Sequence, residues 1–145
     1  ENQQVALVMI TRQGRSGLEF LLIWNDNYGG YFFPVARVKR DCKPDVVAVE
    51  AIRADTGYFA LKGEVGDVHF SNRFNRERRY LFHLCQANFL GLDLARPGNA
   101  LEARLARRGI LWNWFSEEQL ADPVANSLSP TMDAVRLSVL AAARA

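Results

Sequence analysis

The sequence predicts an α/β (α+β) sandwich built on a mixed β-sheet, and three observations lead there. Residues 5–10 (VALVMI) form an unbroken apolar run of strand length, which suits a strand covered on both faces. Strand-like segments both precede and follow one well-delimited mid-chain helix. A second helix with spaced apolar positions closes the chain.

The elements follow in order. After the 5–10 strand, QGRSG at 13–17 is turn chemistry, and residues 18–24 (LEFLLIW) read as the antiparallel return. Residues 25–30 (NDNYGG) are a loop, and the aromatic strand at 31–33 stops at Pro34. Residues 35–42 (VARVKRDC) are basic and read as irregular. The helix that follows has Pro44 in its first turn, Asp45 placed to complement the dipole and Gly57 just past its last turn. Segments 67–72 and 79–89 are strand-like, and in the latter Tyr80, Phe82 and Leu84 alternate with Leu81, His83 and Cys85. Residues 93–108 suit a loop, a short helix or a strand. Residues 109–115 make a last strand, Ser116 caps a short helix over 117–121 with Gln119 at the capping-box position, and Ser129-Pro130 opens the terminal helix. Met132, Val135, Leu137, Val139 and Leu140 supply that helix's apolar positions.

Composition narrows the function. At 145 residues, 49% hydrophobic and 23% charged, the chain is the size and make-up of one folded domain, expected over 1–145, whether trimmed or excised from a longer chain. A net charge of +2 argues against wholesale binding of polyanions. No run is long enough for a membrane span, so no membrane partner is expected. Cys42 and Cys85 alone exclude a disulfide framework or a four-ligand zinc site, and a reducing, cytoplasmic setting is expected. His69 and His83 leave little material for histidine chemistry.

Several segments together resemble the Nudix (MutT-like) superfamily over nearly the whole chain: residues 21–24 (LLIW), 31–34 (YFFP), Ala48 and Ile52, Thr56-Gly57-Tyr58, and 114–120 (WFSEEQL). The resemblance implies an α/β/α sandwich with a mixed sheet. The family signature is Gly, five residues, Glu, seven residues, then Arg-Glu, an aliphatic, any residue, Glu-Glu, any residue and Gly. With the last Gly on Gly57, the aliphatic is kept as Ile52, but the first Gly falls on Ala36 and the loop Glu on Cys42. The Arg becomes Glu50, the next Glu Ala51, and the paired glutamates Ala54 and Asp55. The scaffold positions survive and the chemical ones mostly do not.

In the family those glutamates hold divalent metal beside a diphosphate, which requires several carboxylates because Mg²⁺ demands near-octahedral oxygen coordination. At about 100° per residue, Val47, Ala51, Ala54 and Asp55 share a sector roughly 100° wide, with Glu50 about 140° from Asp55. That face therefore carries one carboxylate, Asp55, a weak metal candidate and the sole residual acid. No catalytic residue, metal or cofactor is expected.

The loop has also changed sign: Arg37, Lys39, Arg40 and Lys43 stand between Pro34 and Pro44 against Asp41 alone. Because exposure is the default for Lys and Arg, a solvated loop with one internal bridge from Glu50 to Lys39, Arg40 or Lys43 is the first expectation. The alternative is an anion site led by Arg37, Lys39 and Arg40, with Tyr28 and Tyr31 lining the cleft beside Ala51, Ala54 and Asp55. Its ligand would be a nucleotide or another phosphorylated small molecule. Nucleic acid is disfavoured by the charge balance; Arg73, Arg76, Arg78 and Arg79 would be its contacts. Cys42 reads as a replaced acid and Cys85 as core.

The expected function is thus a catalytically inactive Nudix-like module that binds, regulates or supports. One alternative is a divergent hydrolase of nucleoside diphosphate-linked substrates using Mg²⁺ or Mn²⁺. Another is a protein-interaction module, as a homodimer or beside an additional domain.

Overall fold

The computed structural model describes residues 2–56, 60–71, 79–88 and 100–145. In chain order the elements are β1 (Asn2–Gly14), β2 (Gly17–Asn25), a 3-10 turn (Asp26–Tyr28), β3 (Gly30–Phe32), β4 (Val35–Arg37) and α1 (Pro44–Thr56). Then come β5 (Ala60–Ser71), β6 (Arg79–Asn88), α2 (Ala100–Arg107), β7 (Trp112–Ser116), α3 (Glu117–Leu120) and α4 (Met132–Arg144). The sheet runs β3-β2-β1-β6-β5, with β4 added to β1 and β7 to β2. It is mixed: β1 and β6 are parallel over nine residue pairs, while the other pairings between the described strands are antiparallel.

The apolar run at 5–10 becomes the middle of β1 because both its faces are covered. Val5, Leu7 and Met9 join Phe20, Leu22, Phe82, Leu84 and Phe115 under Met132, Val135 and Val139 of α4. Ala6, Val8 and Ile10 join Leu21, Cys85 and Trp114 under Ala48 and Ile52 of α1 and Leu101 and Leu105 of α2. Period-two alternation thus feeds two separate cores, one on each side, as an α/β/α sandwich requires. Phe20, Phe32, Phe33 and Phe82 are fully buried, each worth roughly 1.5–3 kcal/mol against exposure.

The structure corrects several sequence expectations. Residues 35–37 are not irregular: they form β4, pairing Val35, Ala36 and Arg37 with Leu7, Ala6 and Val5. The ambiguous 93–108 stretch contains α2, with 93–99 outside the described residues. Leu137 is exposed at 69%, because it sits roughly 200° around the helix from Val135. Ser129-Pro130 leads into α4, with Thr131 at the cap position and Ser129 Oγ accepting from the Thr131 N–H at 3.1 Å. The capping box at α3 forms as expected: the Gln119 N–H donates to Ser116 Oγ at 3.2 Å and the Ser116 N–H to Gln119 Oε1 at 2.9 Å.

Backbone contacts tie the outer strands in place. Gly30, at φ 156°, allows residues 127–129 to lie against β3; a Cβ there would stand 2.6 Å from the Ser127 carbonyl oxygen. The Tyr31 N–H donates to that carbonyl, and the Ser129 N–H donates to Tyr31 O, both at 2.9 Å. No helix among the described residues is long and apolar enough to cross a membrane.

Candidate functional site

The basic loop between β4 and α1 is held by its ends. β4 adds to β1, and one residue beyond it the Val38 N–H donates to Gln4 O at 2.9 Å. The Val38 side chain is buried in the core beneath α1. Lys39 to Cys42 then turn, with the Cys42 N–H on Lys39 O at 3.1 Å and Asp41 in the left-handed region at φ 67°. Asp is among the few residues that tolerate this conformation. α1 begins at Pro44, and Asp45 Oδ1 accepts from the Val46 N–H at 2.8 Å. The first-turn acid therefore occupies its own helix end.

Held this way, the loop presents its cations outward. Lys39, Arg40 and Lys43 are exposed, as are Arg37 and Cys42. The internal bridge expected for Glu50 does not form: Glu50 is exposed and makes no ion pair with Lys39, Arg40 or Lys43. The physical reason is its position on α1. Ala48 and Ile52 turn toward the sheet, so Glu50 lies on the solvent side with Asp45, Val46 and Arg53.

The sheet divides the aromatic–helix cleft that the sequence suggested. In register with Val5, Arg37 faces the α4 side, where Tyr28 and Tyr31 also lie. α1, with Ala51 exposed, lies on the other side. Tyr28 is not an open cleft wall: it is 6% exposed and stacks on Phe32 at 4.7 Å and Tyr80 at 5.7 Å between ring centroids. Burial raises its phenol pKa above the ordinary value, with Tyr80 adding to the shift. Tyr31 is half-buried, edge-on to Trp24 at 5.3 Å and packed on Phe115 at 5.2 Å.

Asp55 lies in the last turn of α1, but its side chain, like that of Ala54, is outside the described residues, as is Gly57. Among the described residues no three His, Cys, Asp or Glu side chains come together as a metal-holding group. The described carboxylates of α1, Asp45 and Glu50, are both exposed on its solvent side. Arg79 opens β6, exposed, whereas Arg73, Arg76 and Arg78 lie outside the described residues.

Sequence reading missed two polar networks. His83, 9% exposed, has Nδ1 3.0 Å from Asp67 Oδ1 and Nε2 3.1 Å from Gln4 Oε1, linking β5, β6 and β1. Two register shifts in β5, between Leu61 and Gly63 and between Glu64 and Gly66, bring Asp67 opposite His83, so counting along the sequence does not find the pair. On the same side of the sheet, Arg12 Nε donates to Glu19 Oε1 at 2.8 Å and its guanidinium lies 4.3 Å from the Trp114 ring. The Trp114 indole N–H in turn donates to the buried Glu102 carboxylate at 3.0 Å. A cavity of about 730 Å³ opens beside this network, lined by Arg12, Arg15, Glu19, Ser116, Glu117 and Glu118. Its charges are mixed and partly mutually satisfied, and neither the loop cations nor α1 contribute to it.

No protein-family model and no curated protein matches the chain. Solved structures do resemble it. A MutT protein from Methanosarcina mazei Go1 is 17% identical, with a TM-score of 0.63 over 99% of this chain and 94% of that one. The Ap4A hydrolase of C. elegans is 13% identical, with a TM-score of 0.62 over 100% of both chains. NrtR from Shewanella oneidensis, solved with a 27mer DNA, is 15% identical with a TM-score of 0.61; the match covers 97% of this chain and 60% of NrtR. With its mixed sheet between α1 and α4 and these likenesses along nearly its full length, the chain has the Nudix fold.

Proposed function

We propose that this Nudix-fold chain is a binding module that recognises a phosphorylated ligand through the cations of the β4–α1 loop and does not hydrolyse it. The observation that carries the reading is that Arg37, Lys39, Arg40 and Lys43 are all exposed with no ion pair among the described residues, where the family pattern has an acid and its partner arginine. Had Glu50 closed the loop, the cations would be structural. Unpaired, they are available to the charge-assisted hydrogen bonds that phosphate oxygens accept. The sequence of α1 argues in the same direction, with Ala51 and Ala54 at two acid positions of the family signature. Arg37, Lys39 and Arg40 bind and orient the ligand, and solvent reaches them directly.

The test is calorimetry of nucleoside di- and triphosphates against the chain, with Mg²⁺ and then with EDTA. Binding that persists in EDTA and is lost in Lys39→Gln/Arg40→Gln supports the reading. Binding that requires Mg²⁺, or that survives the double substitution, contradicts it.

A further inference from the structure

The basic loop after β4 and Arg79, far apart in sequence, come to one end of the sheet. In the sequence, residues 35–45 carry four cations against two acids, and residues 72–79 carry four against one, so within a chain of net charge +2 the remainder is net acidic. β1 joins Arg37 and Arg79. Arg37 is paired with Val5 on one of its sides, and Arg79 with Asn2 on the other. From Arg37 the chain runs antiparallel to β1, toward the end that Arg79 occupies, as the bond from the Val38 N–H to Gln4 O shows. Lys39 and Arg40 thereby extend toward Arg79. At about 3.3 Å per residue and 4.8 Å per strand, the Cα atoms of Arg37 and Arg79 stand roughly 14 Å apart.

These cations line a rim and splay to both faces. Arg37 shares the α4 side with Val5, while Arg79, alternating with the core residue Tyr80, shares the α1 side with Leu81 and His83. Arg37, Lys39, Arg40, Lys43 and Arg79 are exposed, and none makes an ion pair among the described residues. Of the two acids in the loop stretch, Asp45 is engaged at the start of α1. The ring nearest Arg79 in sequence, Tyr80, is buried against Tyr28, so it offers no face for stacking on a base.

We infer that this rim binds the phosphate backbones of a nucleic-acid duplex without reading sequence. The inference rests on the phosphate-binding reading above and names the partner of that surface. Arg37 and Arg79, roughly 14 Å apart in the plane of the sheet and on opposite faces of it, can each meet a different phosphate strand beside a major groove about 12 Å wide. A single strand would need a stacking platform, which Tyr80, the described ring beside Arg79, does not supply. The near-neutral total charge does not oppose this, because residues 35–45 and 72–79 are locally cationic while the remainder of the chain is net acidic.

The test is fluorescence anisotropy of the whole chain with a labelled 20-base-pair duplex, the matching single strand and labelled ATP, beside sedimentation with vesicles containing phosphatidylserine. Five phosphate contacts predict a slope of about −4.5 for log K against log salt. Arg79→Gln, at an exposed position, reduces the magnitude of that slope by about 0.9 and weakens duplex binding several-fold, while ATP binding is unchanged. Arg15→Gln, at the far hairpin, leaves duplex binding as it was. The inference is overturned if Arg79→Gln binds duplex like the parent, if the single strand binds as tightly as the duplex, or if vesicles bind and duplex does not. ATP binding that Arg40→Gln abolishes, with no duplex binding, defeats this inference and leaves the phosphate site standing. Failure to bind either defeats both.

Discussion

Val38 donates its backbone N–H to the Gln4 carbonyl at 2.9 Å and buries its side chain beneath α1, fixing the cationic loop to the first residues of β1. Without this anchor, Lys39 and Arg40 would hang on a free turn; with it, their direction is set by β1. Val38→Ala removes two buried methyl groups and is expected to cost roughly 1–2 kcal/mol in urea unfolding. It also weakens phosphate binding, although the side chain touches no ligand. Unchanged binding in a destabilised Val38→Ala protein would show that the loop orients itself.

Tyr28 provides a pH signature of the core. Burial, then Tyr80, raises its pKa above the ordinary phenol value of 10.0. A group whose pKa is higher in the folded state lends stability that is fully present below its unfolded value and is lost as pH rises through the folded one. Stability is therefore expected to fall as pH climbs past the ordinary phenol value. In a spectrophotometric titration, Tyr28 should ionise only as the protein unfolds. Tyr28→Phe should flatten the alkaline limb; an unaltered limb would place its origin elsewhere.

The capping box at Ser116 and Gln119 couples the end of β7 to α3. Ser116→Ala is expected to lower stability by about 1 kcal/mol, a shift of roughly 2–4 °C in Tm for a chain of this size. Thermal unfolding followed by circular dichroism checks it.

β7 also carries a device against unwanted pairing. The Trp114 N–H is taken by its neighbour's Asn113 Oδ1 at 2.8 Å and the Ser116 N–H by Gln119 Oε1 at 2.9 Å, which blunts two donors. Asn113→Ala frees one of them and is expected to increase self-association at high concentration in sedimentation velocity, with little change in the monomer's spectrum. A variant as monodisperse as the parent would remove this role.

The layered fold was legible because its signals are local and periodic: the apolar run in β1, the Pro44 start of α1, the Ser116 cap. β4 was not, because VAR reads as part of a basic loop until Leu7, Val5 and their neighbours supply the partner strand. At the site, the loop cations were legible as charge. Their freedom was not, since the side of α1 on which Glu50 falls depends on how Ala48 and Ile52 dock. Tyr28 suggested a cleft by its place in a loop, yet the 3-10 turn folds it into the aromatic stack. The meeting of Arg79 with the loop depends on the parallel pairing of β1 and β6, a long-range contact that no local pattern encodes.

The most direct test of the central claim is a hydrolysis assay. The chain is incubated with nucleoside triphosphates, dinucleoside polyphosphates and ADP-ribose in Mg²⁺ or Mn²⁺, with products separated chromatographically. The account predicts no product above the protein-free rate, from the same preparation that binds nucleotide in EDTA. Metal-dependent turnover abolished by Asp55→Asn would contradict it.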